Sequence, residues 1–192
     1  MQPSYIVRND GITITIPARY LKAIQQFMAK GDARYYLNGA NVSQGRIEAS
    51  DGHIAMRIDS PDIKVEGMQA KDNQDRPSVI ISRDSIDKEC RSILKRNLAD
   101  TLTLHGTSVD LVDGQYPDMG RVLIEPHETS GEIGQFNPEL LCRIQKAYKS
   151  LWPNKKNVGA FELHHNGASK GAVVKNSNAD EIVHCVIMPW RV

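Results

Sequence analysis

The feature that most constrains this chain is a pattern that occurs three times along it: a short β-like run, a breaker or capping residue, then an amphipathic helix. The first copy is Ile12-Thr13-Ile14-Thr15-Ile16-Pro17 leading into Ala18–Lys30, and the second is Val79-Ile80-Ile81-Ser82 leading into Asp84–Arg96. The third is Ile133-Gly134-Gln135-Phe136-Asn137-Pro138 leading into Glu139–Leu151. Pro17 and Pro138 sit where a first helical turn tolerates proline, and Ser82 and Asn137 are side chains that can cap a helix start. Strand-like runs follow each helix, punctuated by Asn38-Gly39, Asp51-Gly52, Asp113-Gly114 and Asn166-Gly167, which are hairpin signals.

Each unit is therefore one helix with a few antiparallel strands, and the fold class is α+β. A unit of roughly 55–65 residues cannot bury its helix and sheet well alone, so units are expected to pair. Three units leave one without a partner in the same chain. The polar stretches Lys71–Pro77 and Glu125–Gly131 read as connectors. The expected organisation is a two-unit domain over 1–126, with units 1–70 and 71–126, and a half-domain with a C-terminal tail over 127–192.

The helices have distinct faces at ~100° per residue. Leu21, Ile24, Phe27 and Met28 oppose Arg19, Lys22 and Lys30. Ile86, Cys90, Ile93 and Leu94 oppose Lys88, Arg91 and Lys95. Leu141, Ile144, Tyr148 and Leu151 oppose Arg143, Lys146 and Lys149. The whole chain is nearly neutral, with 24 Lys and Arg against 23 Asp and Glu. Yet Pro17–Lys30, Asp84–Arg96 and Pro138–Ser150 together hold ten of the basic residues and four of the acidic ones. Those four, Asp84, Asp87, Glu89 and Glu139, lie near helix N-termini, where the macrodipole favours them.

Lysines often coat a helix merely because it faces water, and for any single helix that is the commoner explanation. Soluble helices usually mix signs in i,i+4 pairs, however, and three basic faces in three repeated units point to a shared polyanion. No helix-turn-helix or zinc spacing is present, so the expected contact is with a polyanion's backbone, independent of sequence and sensitive to salt.

No apolar run approaches the ~20 residues of a membrane span, and Met1-Gln2-Pro3-Ser4 starts no secretory signal. Cys90, Cys142 and Cys185 are odd in number, far apart and set among apolar neighbours, which suits buried free thiols in a reducing cytosol. The expected location is cytoplasmic, associated with the nucleoid.

Particular residues then carry a resemblance. Arg34-Tyr35-Tyr36-Leu37-Asn38-Gly39 followed by Ser50-Asp51-Gly52-His53 resembles the middle domain of the bacterial DNA sliding clamp, the beta subunit of DNA polymerase III. Tyr116-Pro117-Asp118-Met119-Gly120-Arg121-Val122 resembles the segment that closes that domain. Gly134-Gln135-Phe136-Asn137 and Val186-Ile187-Met188-Pro189-Trp190-Arg191-Val192 resemble the last half-domain and its tail. The four motifs fall in the family's order and cover three of its six units. The resemblance implies a non-catalytic processivity factor without cofactor or metal, whose helices line a hole around duplex DNA and whose strands form the outer wall.

The resemblance also implies a hydrophobic pocket for short peptides of polymerase and clamp-loader proteins. Carried over by position, it takes Leu37, Ser50, Gly52, His53, Ile54 and Ala55 from the first unit, and Pro117, Arg121 and Val122 from the closing segment. From the last unit and tail it takes Asn137, Leu140, Val186, Ile187, Met188, Pro189, Trp190, Arg191 and Val192. Ile54 stands where the family has a basic residue, and Leu140 where an aromatic is usual. A ring of twelve units would need four copies of this chain. The alternative is a protein that never encircles DNA, binding partner peptides or a full-length clamp.

An enzyme is the rival class. Ser50, Asp51 and His53 lie too close along one hairpin for nucleophile–base–orienter geometry, and adjacent His164 and His165 point to opposite faces of a strand. There is no phosphate-binding glycine loop, no paired acidic motif and no Cys-x-x-Cys.

Overall fold

A computed structural model of the chain describes residues 4–9, 11–67, 77–95, 104–107, 109–124, 131–156, 158, 160–165, 167–176 and 182–190. In chain order the first unit contains β1 (Ser4–Asn9), β2 (Ile12–Pro17), α1 (Ala18–Gln25), β3 (Gly39–Ser43), β4 (Arg46–Ser50), β5 (Ile54–Asp59) and β6 (Lys64–Glu66). The second contains β7 (Ser78–Ser82), α2 (Arg83–Lys95), β8 (Leu104–Thr107) and β9 (Leu111–Val112). The third contains α3 (Pro138–Leu151), β10 (Glu162–His164), β11 (Ala172–Lys175) and β12 (Val183–Ile187). This is the expected α+β architecture of helices on sheets that are antiparallel among the described residues except where β1 runs parallel to β8.

Two sheets form. One has the order β6-β2-β1-β8, the other the order β10-β11-β12-β5-β4-β3-β7-β9. The second sheet runs through all three units, because β7 pairs with β3 and β12 pairs with β5, from Val183↔Ile58 to Ile187↔Ile54. The spatial order of the units is thus second, first, third. α1 packs between α2 and α3, and one core joins both sheets to all three helices through Ile14, Ile24, Phe27, Ile47, Ile86, Ile144 and Tyr148. The third unit is not left alone in the chain: it is seated on the first.

This order has a consequence for the chain path. To pass from the second unit to the third, the backbone must cross the first, and residues 113–124 do so on the sheet face away from the helices. Tyr116, Met119 and Leu123 of that crossing are buried with Leu37, Ala55, Ile80, Val173 and Val186 in a second, smaller core.

Three local expectations are corrected. α1 ends at Gln25, not Lys30: Gln26 and Phe27 bond to Ala23 and Ile24 in tight three-residue turns, and Arg83 Nη1 takes the Met28 and Ala29 carbonyls. Residues 132–137 form no strand, since the Gln135 carbonyl meets a single tail amide, that of Trp190. Asn38-Gly39 is not a hairpin turn: Asn38 ends a short 3-10 turn over Tyr35–Leu37 and Gly39 opens β3. Asn137 does cap α3, accepting from the Glu139 amide at 2.8 Å, with Pro138 in the first turn.

Candidate peptide cleft and basic helix faces

The β4–β5 turn is the pivot of the site. Asp51 Oδ1 accepts the amides of His53 and Ile54, and Ser50 Oγ accepts the Gly52 amide while donating to the Ile54 carbonyl. Gly52 has φ +90°, and a Cβ there would lie 2.9 Å from Arg34 Nη2. The positive φ therefore favours glycine, and a side chain there would also push aside the half-exposed Arg34 guanidinium lying over it. Arg34 is held by Asp32, through Nε–Oδ1 at 3.0 Å and Nη2–Oδ2 at 2.8 Å. The hydrogen bonds from Arg34 hold the Asp32 carboxyl down at about 2.

The crossing segment supplies the next wall. The Tyr116 hydroxyl accepts the Ser50 amide at 2.9 Å, and burial pushes its phenol well above the ordinary range. Asp118 Oδ1 accepts the Gly120 amide and caps the short turn Met119–Arg121. The third unit closes the remaining side with the turn before β11 and with β12.

Between these walls lies a cleft of about 680 Å³. Eight expected pocket residues line it: Leu37, Ser50, Gly52, Pro117, Arg121, Val122, Val186 and Met188. Arg34, Met119, Ile124, Ser169, Lys170 and Gly171 line it as well and were not in the expected set. Met119 and Ile124 lie within or beside the closing motif, whereas Ser169–Gly171 belong to a turn without any motif. The lining is mostly aliphatic, with a polar and cationic rim.

The other expected pocket residues are elsewhere. Ile54 and Ile187 are corrections: they pair across β5 and β12 but belong to the main core, on the sheet face opposite Ala55 and Val186. Ala55 lies in the smaller core beneath the cleft and does not line it. Asn137 is spent on capping α3, and Leu140 packs half-buried against the main core. His53 is exposed and faces a second, polar cleft with Lys30, Arg83, Asp87 and Arg143. Pro189 is buried and Trp190 is 59% exposed, and neither lines the cleft. Arg191 and Val192 lie outside the described residues.

The expected DNA-contacting cations divide in the same way. Lys30, Lys88, Arg91, Lys146 and Lys149 are exposed. Lys22 is half-buried. Arg19 stacks on Tyr20 and donates to its hydroxyl at 2.9 Å. Arg143 is committed to the protein: Nη1 meets Asp51 Oδ2 at 2.6 Å and Nε donates to the Gln26 carbonyl at 2.8 Å. The side chain of Lys95 lies outside those described.

Cys90 and Cys185 are buried free thiols as expected, but Cys142 is exposed, because it shares the solvent face of α3 with Lys146 and Lys149. Among the described residues no group of His, Cys, Asp or Glu is arranged to hold a metal, and no helix is long and apolar enough to cross a membrane.

This arrangement, with helices on one side, continuous sheets on the other and an apolar cleft at the junction of units, is the fold of the bacterial DNA sliding clamps. The chain superimposes on the DNA polymerase sliding clamp from Pseudomonas aeruginosa with a TM-score of 0.63 at 18% identity, covering 97% of this chain and 76% of that one. The DNA polymerase III subunit beta from Bartonella birtlesii, solved bound to griselimycin, gives 0.61 at 19% identity over 91% of this chain and 64% of that one. The sliding clamp from Caulobacter crescentus gives 0.58 at 16% identity over 96% and 67%. No family model matches the sequence and no curated protein matches it, so the likeness is one of fold.

Proposed function

We propose that this chain is a non-catalytic, sliding-clamp-like processivity factor that surrounds duplex DNA without reading its sequence. The cleft would receive short aliphatic–aromatic peptides of polymerase and clamp-loader proteins. The observation that carries this reading is the pairing of the two surfaces: an apolar cleft on the sheet side, and exposed Lys88, Arg91, Lys146 and Lys149 on the two helices that flank α1. An apolar concavity with a few polar groups suits a peptide anchor. Lysines and arginines without base readout suit phosphates, with affinity that falls steeply with salt.

Encirclement would need more units than one chain carries, and four copies would supply twelve. Short edge strands are available for such assembly, β9 and β10 at the ends of the long sheet and β6 and β8 at the ends of the other. The direct test is retention on nicked circular duplex through gel filtration, before and after linearisation. Retention on circles that is lost on linear DNA supports encirclement; equal retention on both forms removes it.

A second reading has one observation in its favour. Arg19 and Arg143 are engaged by protein groups, which thins the basic face available to DNA. In that reading the protein does not encircle DNA, keeps the peptide cleft, and binds partner peptides or a full-length clamp as an accessory or decoy. Peptide binding without any retention on circles would select it.

A further inference from the structure

The β4–β5 turn belongs to two clefts at once. Ser50 and Gly52 line the apolar cleft on the sheet side, whereas Asp51 and His53 line a polar one of about 630 Å³ beside the helices, with Gln26 and Arg143. Successive side chains of an extended segment point to opposite faces, so one short turn serves both. Arg34 and Asp32 repeat the pattern: Arg34 lines the apolar cleft, Asp32 the polar one, and their ion pair at 2.8 Å spans the two.

From the helix side the turn is tethered by Arg143. Its Nη1 meets Asp51 Oδ2 at 2.6 Å and its Nε donates to the Gln26 carbonyl at 2.8 Å; among the described residues these are the polar bonds from α3 to the first unit. Asp51 passes the hold on, since its Oδ1 accepts the His53 and Ile54 amides. The His53 carbonyl in turn accepts the Met188 amide at 2.7 Å, and Met188 lines the apolar cleft. A continuous set of bonds thus runs from α3 through the turn to the cleft wall. The Asp51 side chain is 9% exposed, so water would replace little of a lost partner.

We propose that Arg143 is a positioning residue of the apolar cleft: its hold on Asp51 fixes the turn that shapes the cleft edge, so peptide capture depends on a side chain outside the lining. The inference rests on the peptide-cleft reading above and adds how that cleft is kept in its binding shape. A loop ordered beforehand spares the cost of ordering it on binding. A site whose supporting bonds are loosened binds less well even with every contacting residue in place.

The test uses the full chain and a fluorescein-labelled, C-terminally amidated pentapeptide of leucine and phenylalanine. Dissociation constants come from fluorescence anisotropy well below the melting temperature of each variant. Asp51→Asn keeps an oxygen for the His53 and Ile54 amides and removes the charge that Arg143 grips, while Arg143→Met removes the grip from the other side. Each should weaken the peptide roughly three- to tenfold, and the double variant no more than either alone. Ile86→Val, in the main core and lining neither cleft, lowers stability alone and should leave the dissociation constant unchanged. Wild-type affinity in both single variants, additive losses in the double variant, or an equal loss in Ile86→Val overturns the inference and leaves the cleft reading intact. Absence of peptide binding in the wild type, or binding undiminished by Val122→Asp inside the cleft, overturns the cleft reading and this inference with it.

Discussion

Arg143 of α3 reaches across to Asp51 in the β4–β5 turn and holds its carboxylate at 2.6 Å, while its Nε donates to the Gln26 carbonyl at the end of α1. One side chain thus ties the third unit to a strand turn and to the central helix of the first. The turn it grips is also the floor edge of the cleft, through Ser50 and Gly52.

Arg143→Ala is therefore expected to loosen the third unit more than to weaken DNA binding. Asp51 is buried, and losing its partner leaves an uncompensated carboxylate; with Arg143 itself part-exposed, the loss should be about 1–3 kcal/mol. Urea melts compared with Lys149→Ala, at an exposed residue of the same helix, check this. Equal midpoints for the two variants would contradict the assignment of Arg143 to the protein.

Gly52→Val should strain the backbone and move Arg34 aside. The backbone there is at φ +90°, and the new side chain would meet the Arg34 guanidinium. The expected cost is about 1–3 kcal/mol from the strained conformation, accompanied by weaker peptide capture as Arg34 is displaced. Thermal melting and anisotropy on the same sample read both effects, and a variant as stable as wild type would argue against this turn geometry.

Val122→Asp, at a residue 37% exposed on the cleft wall, should reduce apolar peptide binding at least tenfold at little cost in stability. The melting temperature should stay close to the wild-type value. Undiminished binding would place the peptide somewhere else.

The thiols give a test of packing and of pH. Cys142 should label within seconds to minutes with a thiol reagent at pH 8, whereas Cys90 and Cys185 should wait for unfolding. Burial pushes the Cys90 thiol from 9.0 up to about 12. Between those values the folded state keeps a proton that the unfolded chain releases, so this group's stabilising contribution is present below pH 9 and is lost as pH rises toward 12. Stability that rises with pH across that window in wild type but not in Cys90→Ala would reverse the sign.

Asp32 acts at the other end of the scale. Its carboxyl is held at about 2 by Arg34, against an ordinary 3.8. The pair contributes above about pH 4 and is lost as pH falls through 2. Carbon-13 NMR of the Asp32 carboxyl should show it still ionised at pH 3; titration at the ordinary value would mean that Arg34 is not clasped.

The helical faces and the Asp51-Gly52 turn were legible because each is a local property: a 3.6-residue period with Leu21, Ile24, Phe27 and Met28 in phase, and a dipeptide suited to positive φ. The hairpin at Gln44-Gly45, with Gly45 at φ +75°, carries a weaker dipeptide signal. The order of the units was not legible, since nothing in β5 or β12 announces that they will pair. That order decides the rest. It sends residues 113–124 over the first unit, brings Lys170 to the cleft, and turns Ile54 and Ile187 away from it. Arg143 shows the limit most plainly: its helical phase marked it as a solvent cation, and only the tertiary contact reveals Asp51 opposite.

The most direct test of the central claim is the mass in solution by sedimentation at micromolar concentration, in low and moderate salt. The expected result is a closed assembly of four chains, enough units to surround duplex DNA. A monomer throughout that range would contradict encirclement and leave a peptide-binding accessory in its place.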